Sequence, residues 1–353
     1  MSSSKMSSSG AHAVPVPPPP TDRDPSLGRQ SALVPPNSAC VTHEGYHRQA
    51  NEDRGSVFDS PLGRVVIVCD GMGGHEGGEK AAEITMDVFR RVLTGADAGA
   101  DSAETLRACL STANNEILAW RKTRPALRNM GSTVVVAVIH GGQLVVGHVG
   151  DSRAYLVRNG NIQRLTRDQT LVQDFIERGH ITEDQARSHP FGNALKQAVG
   201  QDQEPVLEIG KPTSLARGDV VFACSDGLSG YVKDSAMQKV LSTGLREPLQ
   251  MVEAFIALAL ATGGQDNVTA ALTIVTDGPE PKPEETQKLI AAISAAVVDS
   301  GRHKVAAEPA RPDSPFPGPR NIPDPLYGIA WAVAGALVSY LALVLTGALP
   351  RPF

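Results

Sequence analysis

The sequence predicts an α+β fold in which antiparallel sheets are covered by helices, and three observations predict it. Apolar, mostly β-branched runs of strand length recur, at residues 65–69, 145–149 and 220–224. Each leads almost at once to an acid with a small neighbour: Asp70-Gly71, Asp151-Ser152 and Asp226-Gly227. Tight-turn signals such as His140-Gly141-Gly142 and Asn159-Gly160 join neighbouring runs into hairpins, and pairs of helix-period stretches lie between them.

In chain order, residues 1–37 are rich in Ser, Pro and Ala and cannot bury a core, so they are expected to be a disordered N-terminus. They lack the charged start and apolar centre of a signal peptide, and export is not expected. Residues 41–46 read as a first strand, leading to Arg48 and Asn51-Glu52-Asp53. Residues 57–58 and 65–69 flank a turn at 59–63 and form a hairpin. Residues 79–93 place Ala82, Met86, Phe89 and Leu93 on one helical face. A second helix follows Asp101, whose side chain can cap it while Glu104 completes a capping box; Leu106, Leu110, Ala113, Ile117 and Trp120 are its buried stripe. Strands follow at 133–139, 143–149, 153–158 and 162–165. Residues 168–200 are polar and mostly helical, broken by Gly179, Pro190 and Gly192, as in a flap inserted between strands. Strands at 220–224 and 268–275, with helices at 235–241 and 248–261 between them, close one domain over residues 38–276.

Residues 277–325 read as a Pro- and Glu-rich linker with a short helix at 286–298. Residues 326–349 carry no charge. At ~1.5 Å per residue such a run crosses a hydrocarbon core of about 30 Å, which predicts a C-terminal transmembrane helix, a single-pass anchor to the cytoplasmic membrane with the domain in the cytoplasm. Tyr327 and Trp331 sit near one end, as interfacial aromatics do. Gly328, Ala332 and Ala336 recur every fourth position, a stripe on which two tails could pair into a dimer.

The net charge of -5, the 4% aromatic content and the absence of a long basic run argue against a nucleic-acid partner. Cys40, Cys69, Cys109 and Cys224 have neither metal nor redox spacing, which suits buried thiols in a reducing compartment.

The acids at strand ends carry the chemistry. Repetition of one device points to a shared metal cluster, and carboxylates without His or Cys neighbours select hard cations, Mg²⁺ or Mn²⁺ rather than zinc. Two such ions lower the pKa of a shared water and stabilise the attacking and leaving oxygens of an in-line displacement, which fits phosphoester hydrolysis. Arg48, four residues before Glu52, is the candidate for a bidentate grip on phosphate.

Taken together, Arg48-x-x-Asn51-Glu52-Asp53, Asp70-Gly71-Met72-Gly73-Gly74-His75, Gly131-Ser132-Thr133, Gly150-Asp151-Ser152-Arg153, Ser225-Asp226-Gly227 and Gly264-Gln265-Asp266-Asn267 resemble the ordered motifs of bacterial metal-dependent type 2C serine/threonine protein phosphatases. The resemblance spans roughly residues 41–275. It implies an αββα four-layer sandwich with two central antiparallel β-sheets, and metals at one edge of them. It implies that Asp70 bridges two Mn²⁺ or Mg²⁺ ions with the Gly71 carbonyl as a further ligand, that Asp226 and Asp266 hold the first ion, and that Glu52 serves the second. Asp151, with Asp226, would correspond to a third, weaker site. Arg48 would hold the substrate phosphate, while Asp53 and Asn267 would orient ligands or their waters. The implied function is hydrolysis of phosphoserine and phosphothreonine in proteins, opposing a eukaryotic-like Ser/Thr kinase. The alternative is a catalytically silent sensor or scaffold at the membrane, which has no reason to keep these acids and Arg48 together. Three positions depart from the pattern. Met72 stands where eukaryotic members carry a proton-donating histidine, with His75 close by in sequence; Gln169 and Gly192 stand in the flap where histidine and arginine are expected.

Overall fold

The structure, a computed structural model, describes residues 29–31, 34–201 and 204–278. Strands β1 (Arg29–Ser31), β2 (Ser38–His43), β3 (Asp53–Ser60) and β4 (Gly63–Met72) precede the long helices α1 (His75–Thr94) and α2 (Ser102–Lys122). Next come β5 (Gly131–Ser132), β6 (Val134–His140), β7 (Gln143–Val149), β8 (Arg153–Arg158) and β9 (Asn161–Arg164), then the short helices α3 (Leu171–Glu177) and α4 (Glu183–Arg187). After β10 (Glu208–Ile209), β11 (Thr213–Ser214) and β12 (Val220–Cys224) the chain forms α5 (Asp226–Ser229), α6 (Asp234–Ser242) and α7 (Pro248–Ala261), and ends on β13 (Val268–Ile274).

One sheet runs β1-β2-β13-β12-β8-β9 and the other β10-β7-β6-β4-β3, with β5 paired to β4 and β11 to β7. Every pairing is antiparallel. Helices α1 and α2 pack together, α1 on β3 and β4; on the other sheet α7 packs on β2 and β13 and against α6. Three apolar layers follow from this order. Val65, Ile67 and Cys69 of β4 meet α1 and α2; Val66 and Val68 meet Val221 and Ala223 of β12 between the sheets; Phe222 and Cys224 meet α6 and α7. The strand period of two thus decides where the acids go. Asp70 continues the parity of Val66 and Val68, so it stands at the open end of the inter-sheet layer, where apolar filling stops.

The four-layer α+β arrangement is the expected one, and several boundaries differ. The first strand ends at His43 rather than residue 46, because the chain turns at Gly45, whose φ is +79° and whose Cβ would lie 2.3 Å from the Asp266 carbonyl oxygen. Strand β3 begins at Asp53, well before residue 57. Helix α1 begins at His75 rather than 79; Gly77 and Gly78 belong to its first turn, and Gly78 is there because a Cβ would collide with the Glu52 carboxylate at 1.8 Å. Asp101 caps α2 by accepting from the Glu104 N–H at 2.8 Å. Arg29–Ser31, inside the stretch expected to be disordered, pairs with Val41–His43 along the sheet edge. The linker, its short helix and the proposed transmembrane helix at 326–349 lie outside the described residues. Among the described residues no helix is long and apolar enough to cross a membrane. All four cysteines are free and buried.

Phe222 is fully buried, stacked 4.6 Å from Tyr155 and 5.0 Å from Phe255 between ring centroids. Phe222→Ala should therefore cost about 3–5 kcal/mol, read as a lower urea midpoint with unchanged slope.

Candidate active site

The acids meet because strand register brings them together. Asp53 at the start of β3 is the antiparallel partner of Asp70 near the end of β4. The Asp70 N–H donates to Thr133 Oγ1 at 3.0 Å, and the Thr133 N–H returns a bond to the Asp70 carbonyl at 2.8 Å. Thr133 Oγ1 lies 2.7 Å from Ser152 Oγ, which ties this corner to the Asp151 turn between β7 and β8. Asp226, the first residue of α5, stands close enough to Asp70 for the two carboxyl groups to act on one another electrostatically. Asp266 and Asn267 lie just before β13.

Asn267 organises the loop that carries Glu52. Its side-chain oxygen accepts the Glu52 N–H at 2.8 Å, and its amide nitrogen donates to the carbonyls of Glu44 at 2.8 Å and Ala50 at 2.9 Å. Gly71 and Gly78 let this loop close on β4: a Cβ at Gly71 would stand 2.1 Å from the Gly78 carbonyl oxygen and 2.7 Å from that of Glu52. Asp53 is 1% exposed and accepts from Ser225 Oγ at 2.7 Å, while its Oδ1 has no hydrogen-bond partner among the described residues. Arg48, half exposed, donates from Nη2 to Asp266 Oδ2 at 2.7 Å.

Removal from water and mutual repulsion raise the acids together. Burial pushes Asp53 up to about 7, against hydrogen bonds from Ser225 and Thr269 and with repulsion from Asp226 and Asp266. Asp226 is raised to about 6, first by burial and then by Asp266. Asp70 is held well above the ordinary carboxylate range by burial, then by Asp53, Asp226, Asp151 and Asp266. Asp151 is raised well above it by burial and by Asp226 and Asp168, with Arg153 opposing. For Arg48, burial lowers the pKa, and the Asp266 carboxylate more than offsets it, so the guanidinium stays charged.

This donor set fits hard divalent cations. It is made of carboxylate oxygens, it leaves a buried carboxylate oxygen unpartnered, and Arg48 and Arg153 oppose its repulsion only in part. Among the described residues, no three side chains of His, Cys, Asp or Glu are grouped closely enough to hold an ion by themselves. Arg48 engages Asp266, so direct ligation by that carboxylate would need this contact to open or water to complete the shell.

Next to the acids lies a cleft of about 370 Å³ floored by Asp151 and Asp226 and walled by Arg153, Arg187, Gly192 and Tyr231. Its flap wall is fastened at both ends. Arg153 holds Asp168 in a bidentate pair at 2.9 and 2.6 Å, and Arg187 of α4 donates to the Gly230 carbonyl at 2.6 Å. Gln169, where the resemblance leads one to expect histidine, serves as a clasp. Its Oε1 accepts the Gly150 N–H at 2.8 Å and the Gln197 amide at 2.9 Å, fixing the turn that presents Asp151. Gly192 lines the cleft, Met72 pairs with Gly131 as the last residue of β4, and His75 is the first residue of α1. Sequence reasoning missed the parts played by Asp168, Ser225 and Thr133, because each acts through a partner distant in sequence. Only Thr133 and Ser225, inside quoted motifs, carried a sequence signal.

Paired sheets ending in a cluster of acids beside an arginine bring together groups suited to divalent cations and to an anionic oxygen group. The sequence profile of protein phosphatase 2C matches residues 43–275. The serine/threonine phosphatase stp of Listeria monocytogenes is 34% identical over 235 residues, covering 65% of this chain and 92% of that protein. The serine/threonine protein phosphatase PstP of Mycobacterium tuberculosis is 35% identical over 240 residues, covering 68% of this chain and 45% of its own length. The solved catalytic domain of PstP in complex with two manganese ions superposes with a TM-score of 0.60 at 32% identity, over 68% of this chain and 98% of that one. The chain belongs to the protein phosphatase 2C family and is a serine/threonine protein phosphatase.

The raised acids predict a pH dependence of the metal-free protein. Asp53 and Asp226 keep protons in the folded state to about 7 and about 6, whereas the unfolded chain loses them near the model-compound value of 3.8. Folding is therefore favoured below that value, and the contribution is lost as pH rises through about 6 and 7. In EDTA, the melting temperature should fall by several degrees between pH 5 and 8, and Mn²⁺ should restore it more at pH 8 than at pH 5. A flat EDTA profile in differential scanning fluorimetry would show that the acids do not share charge as described.

Proposed function

We propose that this chain removes phosphate from phosphoserine and phosphothreonine in proteins with the help of two Mn²⁺ or Mg²⁺ ions, and that a third, weaker ion sits by Asp151. The observation that carries the reading is the convergence of Asp70, Asp226, Asp266 and Asp151 on one sheet edge with Glu52 and Arg48 beside them. Asp70, with the Gly71 carbonyl as a further ligand, would serve both ions together with Asp226 and Asp266 for one and Glu52 for the other. Such ions supply an acidified water and charge neutralisation on the phosphoryl oxygens.

The chain's own residues prepare the rest. Asn267 fixes the Glu52 loop by three hydrogen bonds, Thr133 fixes the Asp70 backbone, and Ser225 orients Asp53. Arg48, half exposed, can exchange its Asp266 contact for two oxygens of a phosphate, the pairing its fork suits best. Since the substrate must carry a phosphoryl group on Ser or Thr, a protein Ser/Thr kinase is the reaction class that supplies it. The full complement of acids supports an enzyme over a silent scaffold.

Asp70→Asn should leave the fold intact and lower Mn²⁺-dependent turnover of a phosphothreonine peptide by about 10²–10³ or more. Arg48→Ala should lower kcat/KM by about 10–100-fold, largely through KM, with Arg48→Lys rescuing only part, because a point charge lacks the fork. Full activity in Asp70→Asn would sink the assignment.

We further propose that residues 326–349 anchor the enzyme to the cytoplasmic membrane, with the domain on the cytoplasmic side and a dimer formed through the small-residue stripe. The charge-free composition of the segment supports this reading. A chain ending at Thr276 should move from membrane pellet to supernatant on fractionation and keep its peptide phosphatase rate. Recovery of the full chain in the supernatant without detergent would count against the anchor.

A further inference from the structure

The end of α2 and the turn after it concentrate positive charge beside the acids. Arg121, Lys122, Arg124 and Arg128 fall within eight residues, and none has a salt-bridge partner among the described residues. Three carboxylates of α1 and α2 are engaged elsewhere: Glu79 with Arg54 at 2.7 Å, Glu83 with Lys80 at 3.1 Å and Glu116 with Arg91 at 2.5 Å. Lys122, Arg124 and Arg128 are exposed. The segment is nonetheless held rigid. Arg124 stacks 3.7 Å over the Trp120 ring, with Lys80 5.1 Å from the same centroid, and Arg121 donates to the Gly200 carbonyl.

Its position ties it to the catalytic edge. A Cβ at Gly73 would lie 2.5 Å from the Asn129 carbonyl oxygen, and one at Gly77 would lie 3.2 Å from Met130 Cβ, so the segment rests on the glycine turn that follows Asp70. Directly after it, Gly131 and Ser132 pair with Met72 and Gly71. Arg128 is three residues before Gly131, the β-partner of Met72.

We propose that Lys122, Arg124 and Arg128 form a docking surface for an anionic flank of the phosphoprotein substrate, carboxylate or phosphoryl, and make the enzyme select phosphosites with negative charge alongside. The inference rests on the phosphatase reading of the neighbouring site. Cations outside the acidic cluster add an attractive field for an anionic chain that spans both surfaces, and cations without an ion-pair partner are free to take one from the substrate. The selection is expressed in encounter and binding, hence in KM and in salt dependence.

The test uses the full chain with Mn²⁺ and three sets of phosphothreonine peptides, flanked on either side by Glu, by Gln or by Lys, with p-nitrophenyl phosphate as a substrate that has no flank. At low salt the Glu-flanked peptides should show kcat/KM about tenfold above the Gln-flanked ones, mainly through KM, and lose that advantage at 0.5 M salt. In Lys122→Gln/Arg124→Gln/Arg128→Gln the advantage should fall to about twofold or less, while rates on p-nitrophenyl phosphate and Gln-flanked peptides stay at wild-type levels. Lys122→Gln/Arg128→Gln, which leaves the Trp120 stack untouched, should show an intermediate loss and guards against misfolding of the triple variant. Equal rates on Glu- and Gln-flanked peptides with normal p-nitrophenyl phosphate turnover would overturn the docking surface alone. Absence of that preference together with loss, in the triple variant, of binding to phosphatidylserine vesicles would assign the cations to a lipid surface instead. No turnover of any substrate would overturn the phosphatase reading itself.

Discussion

The structure depends on holding mutually repelling carboxylates at one place. Asp53, Asp70, Asp226 and Asp151 are held above the ordinary carboxylate range at a sheet edge, by burial and by repulsion among themselves and from Asp266, an arrangement that costs stability whenever they are all ionised. Two large apolar layers outside the sheets and one between them supply the rigidity that keeps the acids from moving apart. The backbone around the acids is correspondingly over-fastened: Thr133 on Asp70, Ser225 on Asp53, Asn267 on the Glu52 loop, Gln169 on the turn before Asp151. The groups that could relax the repulsion by yielding are the ones most tightly bound.

Glycine makes this crowding feasible. Gly71, Gly78 and Gly227 each stand where a Cβ would meet a backbone or carboxylate oxygen at 2.1 Å or less. These positions bring the first turn of α1, the Glu52 loop and the start of β13 into van der Waals contact around the acids. Alanine at any of them would push a ligand candidate away from the element packed against it.

Much of this was legible in sequence. Hairpin turns, the strands at 143–149, 153–158 and 220–224, and the helix at 248–261 have the bounds that alternation, turn chemistry and Pro248 at a helix start dictate. The parity of 65–69 already aimed Asp70 into the layer opposite Val65 and Ile67. What escaped is non-local. Gly77-Gly78 looks like loop until the Glu52 carboxylate above it is known, so α1 began too late in the reading. The ion pair between Arg48 and Asp266 spans most of the domain's length, and Gln169 looks like a lost histidine until Gly150 and Gln197 are found on its amide oxygen. The segment 121–128 reads as the polar end of a helix, and its nearness to the turn after Asp70 comes from the β4–β5 pairing and the close approach of Gly73 and Gly77 to residues 129 and 130.

The order of strands has a consequence for synthesis. Strand β13, last of the domain to be translated, lies in the interior of its sheet between β2 and β12, and it follows directly on Asp266 and Asn267. Until it emerges from the ribosome, β2 and β12 have open edges toward one another, the Glu52 loop lacks its staple, and the acidic edge lacks a member. A nascent chain can fold its α1–α2 half early from local contacts, whereas the six-stranded half waits for the longest-range pairing in the domain. Assembly of the acidic site therefore waits on the strand preceded by Asp266 and Asn267, the last of the domain to leave the ribosome.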